Sequence, residues 1–467
     1  MIYTTLVNKK NPMKDSFYKK INLVNVKNIE EEEIQVEEQT YQAFLKLQAA
    51  LKKQNITIGI NSAYRSIEKQ QEIYQEMIEE NKKEFVAEPK TSEHHTGLAL
   101  DISILPKLDI KEEMSEEEKN ELLEDNKKKW FIIHSYLANF GFILRYPEGK
   151  EDITGYPYEC WHIRYVGEFP AKIIKENNLT LEEYLSSYGC IIAVNKEKNC
   201  TSFDVVNEIS HLFGIKKVGH TGTLDPMATG VLLVAVGQAT KIIELLTAKD
   251  KEYVAEAELG VKTDTYDNTG KVLEKVEVPK DLELEKVINS FQKTYLQEVP
   301  IYSAVKVNGK KLYDYARENK KVELPKKEVT IKEIELLNYQ KDTFQFRALV
   351  TKGCYIRSLI HDIGIALKTD AIMTSLKRTK QGNIIIENTY TLNDIRNRKY
   401  HSYSIEEVLD YPVITVDDDL EFKVKNGVKI DNTWKVKDKV IIKNKKNRIL
   451  GIYEVDNRKI KVWKNFN

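Results

Sequence analysis

Apolar and polar positions alternate at Ile56, Ile58 and Ile60, a period of two that predicts a strand with one buried face, running into Asn61-Ser-Ala-Tyr-Arg65-Ser. The charged run Lys111 to Lys129 has no apolar face and predicts a solvated loop and a helix start. Trp130 to Phe142 then reads as a helix, stopped at Asn139-Phe-Gly141. Val205, Val206, Ile209, Leu212 and Phe213 fall at helical spacing, so a helix is predicted with Ser202 as its N-cap and Gly214 as its end. From Lys251 the period returns to two, with Tyr253, Ala255, Ala257 and Leu259 on one face of a strand. After about residue 405 the chain breaks into short apolar runs, Val413 to Val416, Val440 to Ile442 and Ile449 to Val455, separated by Asn, Gly and Asp. These predict a small β appendage.

Composition narrows the class. Lys and Arg number 72 and so do Asp and Glu, yet the first 187 residues carry a balance of −8 and the remainder +8. Such an asymmetry points to nucleic-acid contact in the rear part. Lys216-Lys217, Lys306, Lys310-Lys311 and Lys377-Arg378 are the candidate phosphate contacts there. The four cysteines, at 160, 190, 200 and 354, form no C-x-x-C and no paired framework, and read as reduced thiols. Met1 to Ser16 holds lysines and no apolar run of signal-peptide length, and no stretch approaches a membrane-spanning helix. A cytoplasmic, monomeric protein is expected.

One dodecapeptide carries the most chemistry. Residues 219–230 read Gly-His-Thr-Gly-Thr-Leu-Asp-Pro-Met-Ala-Thr-Gly, with three glycines and a proline around the single carboxylate Asp225. Neither a helix nor a sheet interior tolerates that density of Gly and Pro, so an ordered loop presenting Asp225 and His220 is expected. The segment resembles the catalytic loop of the TruB-type tRNA pseudouridine synthases. So do the blocks around it. These are Cys190 to Val206 (with Glu197 and Asn199 where the family has Pro and Gly), Lys251-Glu-Tyr253, Thr263-Asp-Thr-Tyr-Asp267 with Gly270, Val299-Pro-Ile-Tyr-Ser-Ala304, Lys352-Gly-Cys-Tyr-Ile-Arg357, Asp362-Ile-Gly364 and Leu376-Lys-Arg378. The resemblance implies isomerisation of uridine 55 in the tRNA T arm, without metal or cofactor. It makes Asp225 the nucleophile, Arg357 the cation that keeps it ionised, and Tyr253 the ring that stacks on the uracil. His220, Tyr355 and Leu376 would line the space around the flipped base.

A second motif pair lies upstream. In Ser92-Glu-His94-His95-Thr-Gly97-Leu-Ala99-Leu-Asp101 and Glu159-Cys-Trp161-His162, a His, an Asp seven residues on and a distant His can close three sides of a tetrahedral zinc site. His94 rather than His95 fits the register. Glu159 is placed to take a proton from a water in the open position, provided the chain bends between Glu159 and His162. Arg65 could grip a carboxylate through a bidentate pair. These segments resemble the VanY-type zinc D-alanyl-D-alanine carboxypeptidases, as does the tail Leu179 to Leu185. The resemblance implies a Zn2+ cofactor and a D-Ala-terminated peptide or dipeptide as substrate.

The expected architecture is multidomain. An α+β zinc peptidase domain (1–187) is followed by an α/β, mixed-sheet pseudouridine synthase domain (188–405) and a small C-terminal β domain related to RNA-binding modules (406–467). The alternative is a synthase whose front domain is a catalytically silent binding module.

Overall fold

The computed structural model describes residues 2–81, 86–111 and 113–466. The chain divides into two compact units, one of residues 1–188 with 209–216, the other of residues 189–208 with 217–467. Among the described residues no helix is long and apolar enough to cross a membrane.

The first unit is α+β. A hairpin of β1 (Leu23–Lys27) and β2 (Glu33–Glu37) leads into α1 (Glu38–Lys52). A four-stranded antiparallel sheet follows, with β3 (Thr57–Ser62), β4 (Ala99–Leu105), β5 (Phe142–Leu144) and β6 (His162–Tyr165) in the order β3-β4-β6-β5. Ile58 and Ile60 on β3 pack with Phe44, Leu47 and Leu51 of α1 and with Ile133 and Leu137 of α2 (Glu116–Leu137). The helix expected over Trp130–Phe142 therefore starts far earlier. Ser115 closes a reciprocal capping box with Glu118, and Glu116 to Glu118 lie where the helix dipole favours negative charge. A solvated face of charges does not oppose a helix that is well capped. The helix also stops sooner: a 3-10 turn over Ala138–Phe140 and Gly141 at φ 81° release Phe142 into β5.

The second unit is built on a ten-stranded mixed sheet. Its main path uses β7 (Gly189–Lys196), β9 (Thr229–Gly237), β10 (Lys251–Leu259), β11 (Thr294–Glu298), β12 (Lys326–Gln340), β13 (Thr343–Val350), β14 (Ala371–Gln381) and β15 (Ser402–Tyr403), in the order β11-β12-β13-β10-β14-β9-β7-β15. The short β8 (Val218–His220) pairs with β9. Only β14 with β9 is parallel along that path, which makes the sheet mixed as expected. Two central strands, β10 and β14, carry Tyr253 and Leu376. Helix α3 (Ser202–Phe213) and helix α4 (Ile356–Leu367) lead from the turns that matter for the site.

Residues past 412 form a separate five-stranded sheet, with strands at 413–416, 430–431, 439–444, 449–456 and 459–465. It is not a detached body. Ile441, Ile452 and Phe466 share a core with Ile191, Leu233 and Ile405 of the synthase part, and both belong to the same compact unit.

Candidate active sites

In the second unit residues 221–228 of the dodecapeptide form the loop between β8 and β9, with Asp225 on it, whereas Gly219-His220 and Thr229-Gly230 belong to the flanking strands, so His220 stands at the end of β8 rather than on the loop. Gly230 sits at φ 101°, and a Cβ there would meet the Arg378 carbonyl oxygen, so only glycine fits. Asp225 is partly open, and Arg357 grips it twice, Nε to Oδ2 at 2.9 Å and Nη2 to Oδ1 at 3.3 Å. The guanidinium is buried and donates also to the Thr265 and Tyr302 carbonyls at 3.2 and 3.0 Å, with Asp267 at 3.9 Å. A planar, permanently charged donor held on several sides is a fixed cation. Tyr355 stands at the N-cap of α4, two residues before Arg357. Burial raises its phenol pKa and the Asp225 charge adds to this, so the ring stays protonated. His220 accepts from the Gly222 N–H at 3.2 Å through Nδ1. Burial lowers its pKa and the Arg378 charge lowers it further, so the imidazole is neutral. Leu376 is buried on β14, opposite Ala255 of β10.

Three residues have roles that the sequence reading missed or misplaced. Arg378, expected as a phosphate contact, is 1% exposed. Its Nε donates to the Tyr253 hydroxyl at 3.1 Å, and its Nη atoms donate to the Gly222, Thr223 and Val231 carbonyls at 3.1–3.2 Å. It thus ties the Tyr253 phenol to the Asp225 loop. Ser202 is not the N-cap of α3. Thr201 and Asp204 cap reciprocally, which frees the Ser202 hydroxyl to accept from Leu224 N–H at 2.9 Å and donate to its carbonyl at 3.2 Å. Lys196 is buried, and its ammonium donates to the Ala228 carbonyl at 2.7 Å. Asn199, standing where the family pattern has Gly, adopts φ 66°, the left-handed conformation Asn tolerates, and its N–H donates to Pro226 O at 2.8 Å. The loop is thereby fixed from four directions.

In the first unit, His94, Asp101 and His162 converge, with one ligand atom of each within 4.8 Å of the others. Register explains it: Asp101 on β4 lies directly opposite His162 on β6. His94 comes from a short 3-10 turn, Glu93–Thr96, ended by Gly97 at φ 68°. The His94 Nδ1 bonds the Ala63 carbonyl at 2.6 Å, which turns Nε2 toward Asp101 Oδ2 at 3.2 Å. Such a bond to a backbone carbonyl is how a metal-binding imidazole is usually oriented. His162 Nδ1 lies 3.2 Å from Asp101 Oδ1 and 3.4 Å from Glu159 Oε2. The bend needed after Glu159 is present, with a turn at Cys160-Trp161 closed by His162 N–H to Glu159 O at 3.4 Å. Burial opposes ionisation of Asp101, but the two imidazoles outweigh it and hold the carboxyl well below its usual range. Burial likewise lowers the His162 pKa, yet Asp101 and Glu159 lift it to about 9. Two buried imidazoles and a half-buried carboxylate gathered at one point fit zinc. His95 is otherwise engaged: Nδ1 bonds Arg65 O at 2.7 Å and Nε2 accepts from Lys90 N–H at 3.1 Å. Arg65 lines the same cleft of about 180 Å³ as His94, Asp101, Glu159 and His162, and is aimed by Gln70 and Ser62 at 2.9 and 3.2 Å.

Beneath this cleft lies a charge cluster that the sequence reading did not foresee. Glu93 is fully buried, 2.8 Å from both Arg145 and Arg164, and Arg145 continues to Glu182 at 2.6 Å. Burial would raise the Glu93 pKa, but the two arginines bring it below the usual carboxylate range. Glu93 neighbours His94, and Arg164 follows His162 by two residues, so the cluster anchors both histidine segments. Glu182 belongs to the tail Leu179–Leu185.

Residues 210–356 match the family described as TruB family pseudouridylate synthase (N terminal domain), and residues 357–421 match the tRNA pseudouridylate synthase B C-terminal domain. Residues 33–168 match VanY, the D-alanyl-D-alanine carboxypeptidase family. Two relatives are the tRNA pseudouridine synthase B proteins of Clostridium tetani and Fusobacterium nucleatum. The first is 45% identical over 272 residues, 57% of this chain and 92% of that protein; the second is 41% identical over 284 residues, 58% and 96%. A solved vancomycin resistance D,D-pentapeptidase VanY in complex with Zn(II) is 29% identical, covering 39% of this chain and 99% of that one, with a TM-score of 0.32. The chain belongs to the TruB family of tRNA pseudouridine synthases and carries a VanY-family carboxypeptidase domain ahead of the synthase.

Proposed function

We propose that the second unit isomerises uridine 55 of the tRNA T arm to pseudouridine, with Asp225 as the nucleophile. The doubly bonded Asp225–Arg357 pair carries this reading, because it sets a partly open carboxylate against a fixed cation in a loop tied down by hydrogen bonds. The base must leave the RNA stack to reach it. Tyr253 offers its ring to the uracil while Arg378 holds its hydroxyl; His220, Tyr355 and Leu376 wall the pocket. The bond from base nitrogen to sugar breaks, the uracil turns, ring carbon 5 joins the sugar, and the hydrogen it loses is balanced by one gained at the freed nitrogen. The reaction needs no metal or cofactor. Mass-shift detection of pseudouridine in T-arm RNA tests it. Absence of product at position 55 with the wild-type protein would remove the assignment.

We further propose that the first unit is a zinc D,D-carboxypeptidase with His94, Asp101 and His162 as ligands. When bound, zinc would polarise the scissile carbonyl and acidify a water. Glu159 receives the proton of the attacking water and passes it to the leaving amine. Arg65 grips the free C-terminal carboxylate, which restricts cleavage to the end of a peptide. Release of D-alanine from a D-Ala-D-Ala peptide by the zinc-loaded chain is the test. A chain that binds zinc and peptide without turnover would make this unit a binding module.

A further inference from the structure

Gln297 is a fully buried amide that the proposed isomerisation leaves without a task. It stands on β11, near the edge of the large sheet, in register with Lys327. Its side chain reaches the turn just before α4. The Tyr355 N–H donates to Gln297 Oε1 at 2.8 Å, and Gln297 Nε2 donates to the Tyr355 carbonyl at 3.2 Å. One side chain thus imitates a strand partner for one residue of backbone. The amide cannot be flipped without setting two donors and two acceptors against each other. Its orientation is enforced from behind: Nε2 also donates to the Tyr295 hydroxyl at 2.8 Å, and that hydroxyl donates to Asp362 Oδ2 at 3.0 Å, on the same α4. A second tie from β11, the Ser358 hydroxyl to Glu298 O at 2.8 Å, fixes the other side of Arg357. The Tyr355 side chain does not cap α4, and Gln297 satisfies the Tyr355 N–H, one of the donors a helix start leaves unpaired.

We propose that Gln297 is a positioning residue for the isomerisation, holding the Tyr355-to-Arg357 turn so that the guanidinium meets Asp225 with both nitrogens. The inference rests on the synthase reading above. It acts through Arg357 and Tyr355 and touches neither RNA nor the reacting atoms.

The test uses the full chain, T-arm RNA, and single-turnover and steady-state rates. Gln297→Met keeps the volume and removes all three side-chain bonds. It should lower kcat on the order of 10- to 100-fold with KM for RNA changed less than about threefold, since small misplacements of a catalytic group are costly. Tyr295→Phe loses only the rear hydroxyl and should lower kcat in the same direction by less. Arg357→Lys combined with Gln297→Met should lose clearly less than the product of the two single losses, because both disturb one contact. The inference is overturned if Gln297→Met keeps kcat within twofold, if its loss is all in KM, or if the double variant is additive. If Gln297→Met fails to fold by circular dichroism, Tyr295→Phe decides, and an unchanged kcat there overturns the clamp. A wild type that makes no pseudouridine would instead defeat the synthase reading.

Discussion

Two carboxylates, Asp225 and Asp101, stand at the two candidate sites, and each faces a different kind of partner. Asp225 is held by a guanidinium that cannot give up its charge and is locked to the Thr265 and Tyr302 carbonyls. Asp101 lies between two imidazoles, His94 at 3.2 Å and His162 at 3.2 Å, side chains whose ring nitrogens can offer a lone pair to a metal. A fixed cation pairs a carboxylate with no metal; imidazoles with a lone pair to offer leave room for a metal to enter. The contrast fits the proposal that one chain holds an isomerase site that works without a metal and a hydrolase site that takes one.

The largest effect that could break this contrast comes from Asp225→Asn. It keeps shape and removes charge, so pseudouridine formation should fall by several orders of magnitude while RNA binding and D-alanine release stay at wild-type levels. Product above a few per cent of the wild-type rate would refute the nucleophile. At the other site, Glu159→Gln should cut peptidase turnover on the order of 10²- to 10⁴-fold and leave about one zinc per chain. His94→Ala should lose both zinc and turnover. Elemental analysis separates these roles, and zinc lost from Glu159→Gln would merge them.

Arg357→Lys sharpens the fixed-cation half. A lysine keeps the charge and forfeits the paired geometry, so kcat should fall on the order of 10²-fold. A variant within twofold of wild type would show that charge alone suffices. Glu93→Ala leaves Arg145 and Arg164 without their shared buried partner, and should destabilise the first unit by about 3–5 kcal/mol in denaturant titration. The synthase rate is expected to be unaffected under native conditions.

The smallest effect concerns pH. Burial raises the Asp362 pKa to about 6, with the Glu298 charge adding and the Tyr295 hydroxyl opposing. A carboxyl whose folded pKa exceeds its unfolded value contributes stability below about pH 4 that is lost as pH rises through about 6. Asp362→Asn should therefore be more stable than wild type at pH 7–8 by about 1 kcal/mol, after discounting for solvent screening, and equal to it near pH 3.5. A melting temperature unchanged at both pH values would contradict the assignment.

Much of both sites is legible in the sequence because short motifs carry local geometry. The middle of the Gly- and Pro-rich segment, residues 221–228, is a loop as its composition suggests, and the spacing of His94 to Asp101 together with the pairing of Asp101 with His162 follows from one turn and two strands. What stayed hidden depends on partners far along the chain. Lys377-Arg378 looks like a surface pair, but strand residues alternate faces, so Arg378 lies on the same side as the buried Leu376. That period-two step was the available signal. Nothing local to Glu93 beside His94 announces that Arg145 and Arg164 will close over it. Thr201 and Ser202 are both good caps; only the tertiary contact with Leu224 decides which hydroxyl leaves the helix.

The most direct test of the contrast is a paired assay of the full chain before and after chelation. T-arm RNA and a D-Ala-D-Ala peptide are followed in parallel samples, with zinc then restored. Pseudouridine formation should proceed at an unchanged rate throughout, while D-alanine release should vanish with the metal and return with it. Loss of both activities on chelation, or peptidase turnover that persists in metal-free protein, would contradict the account.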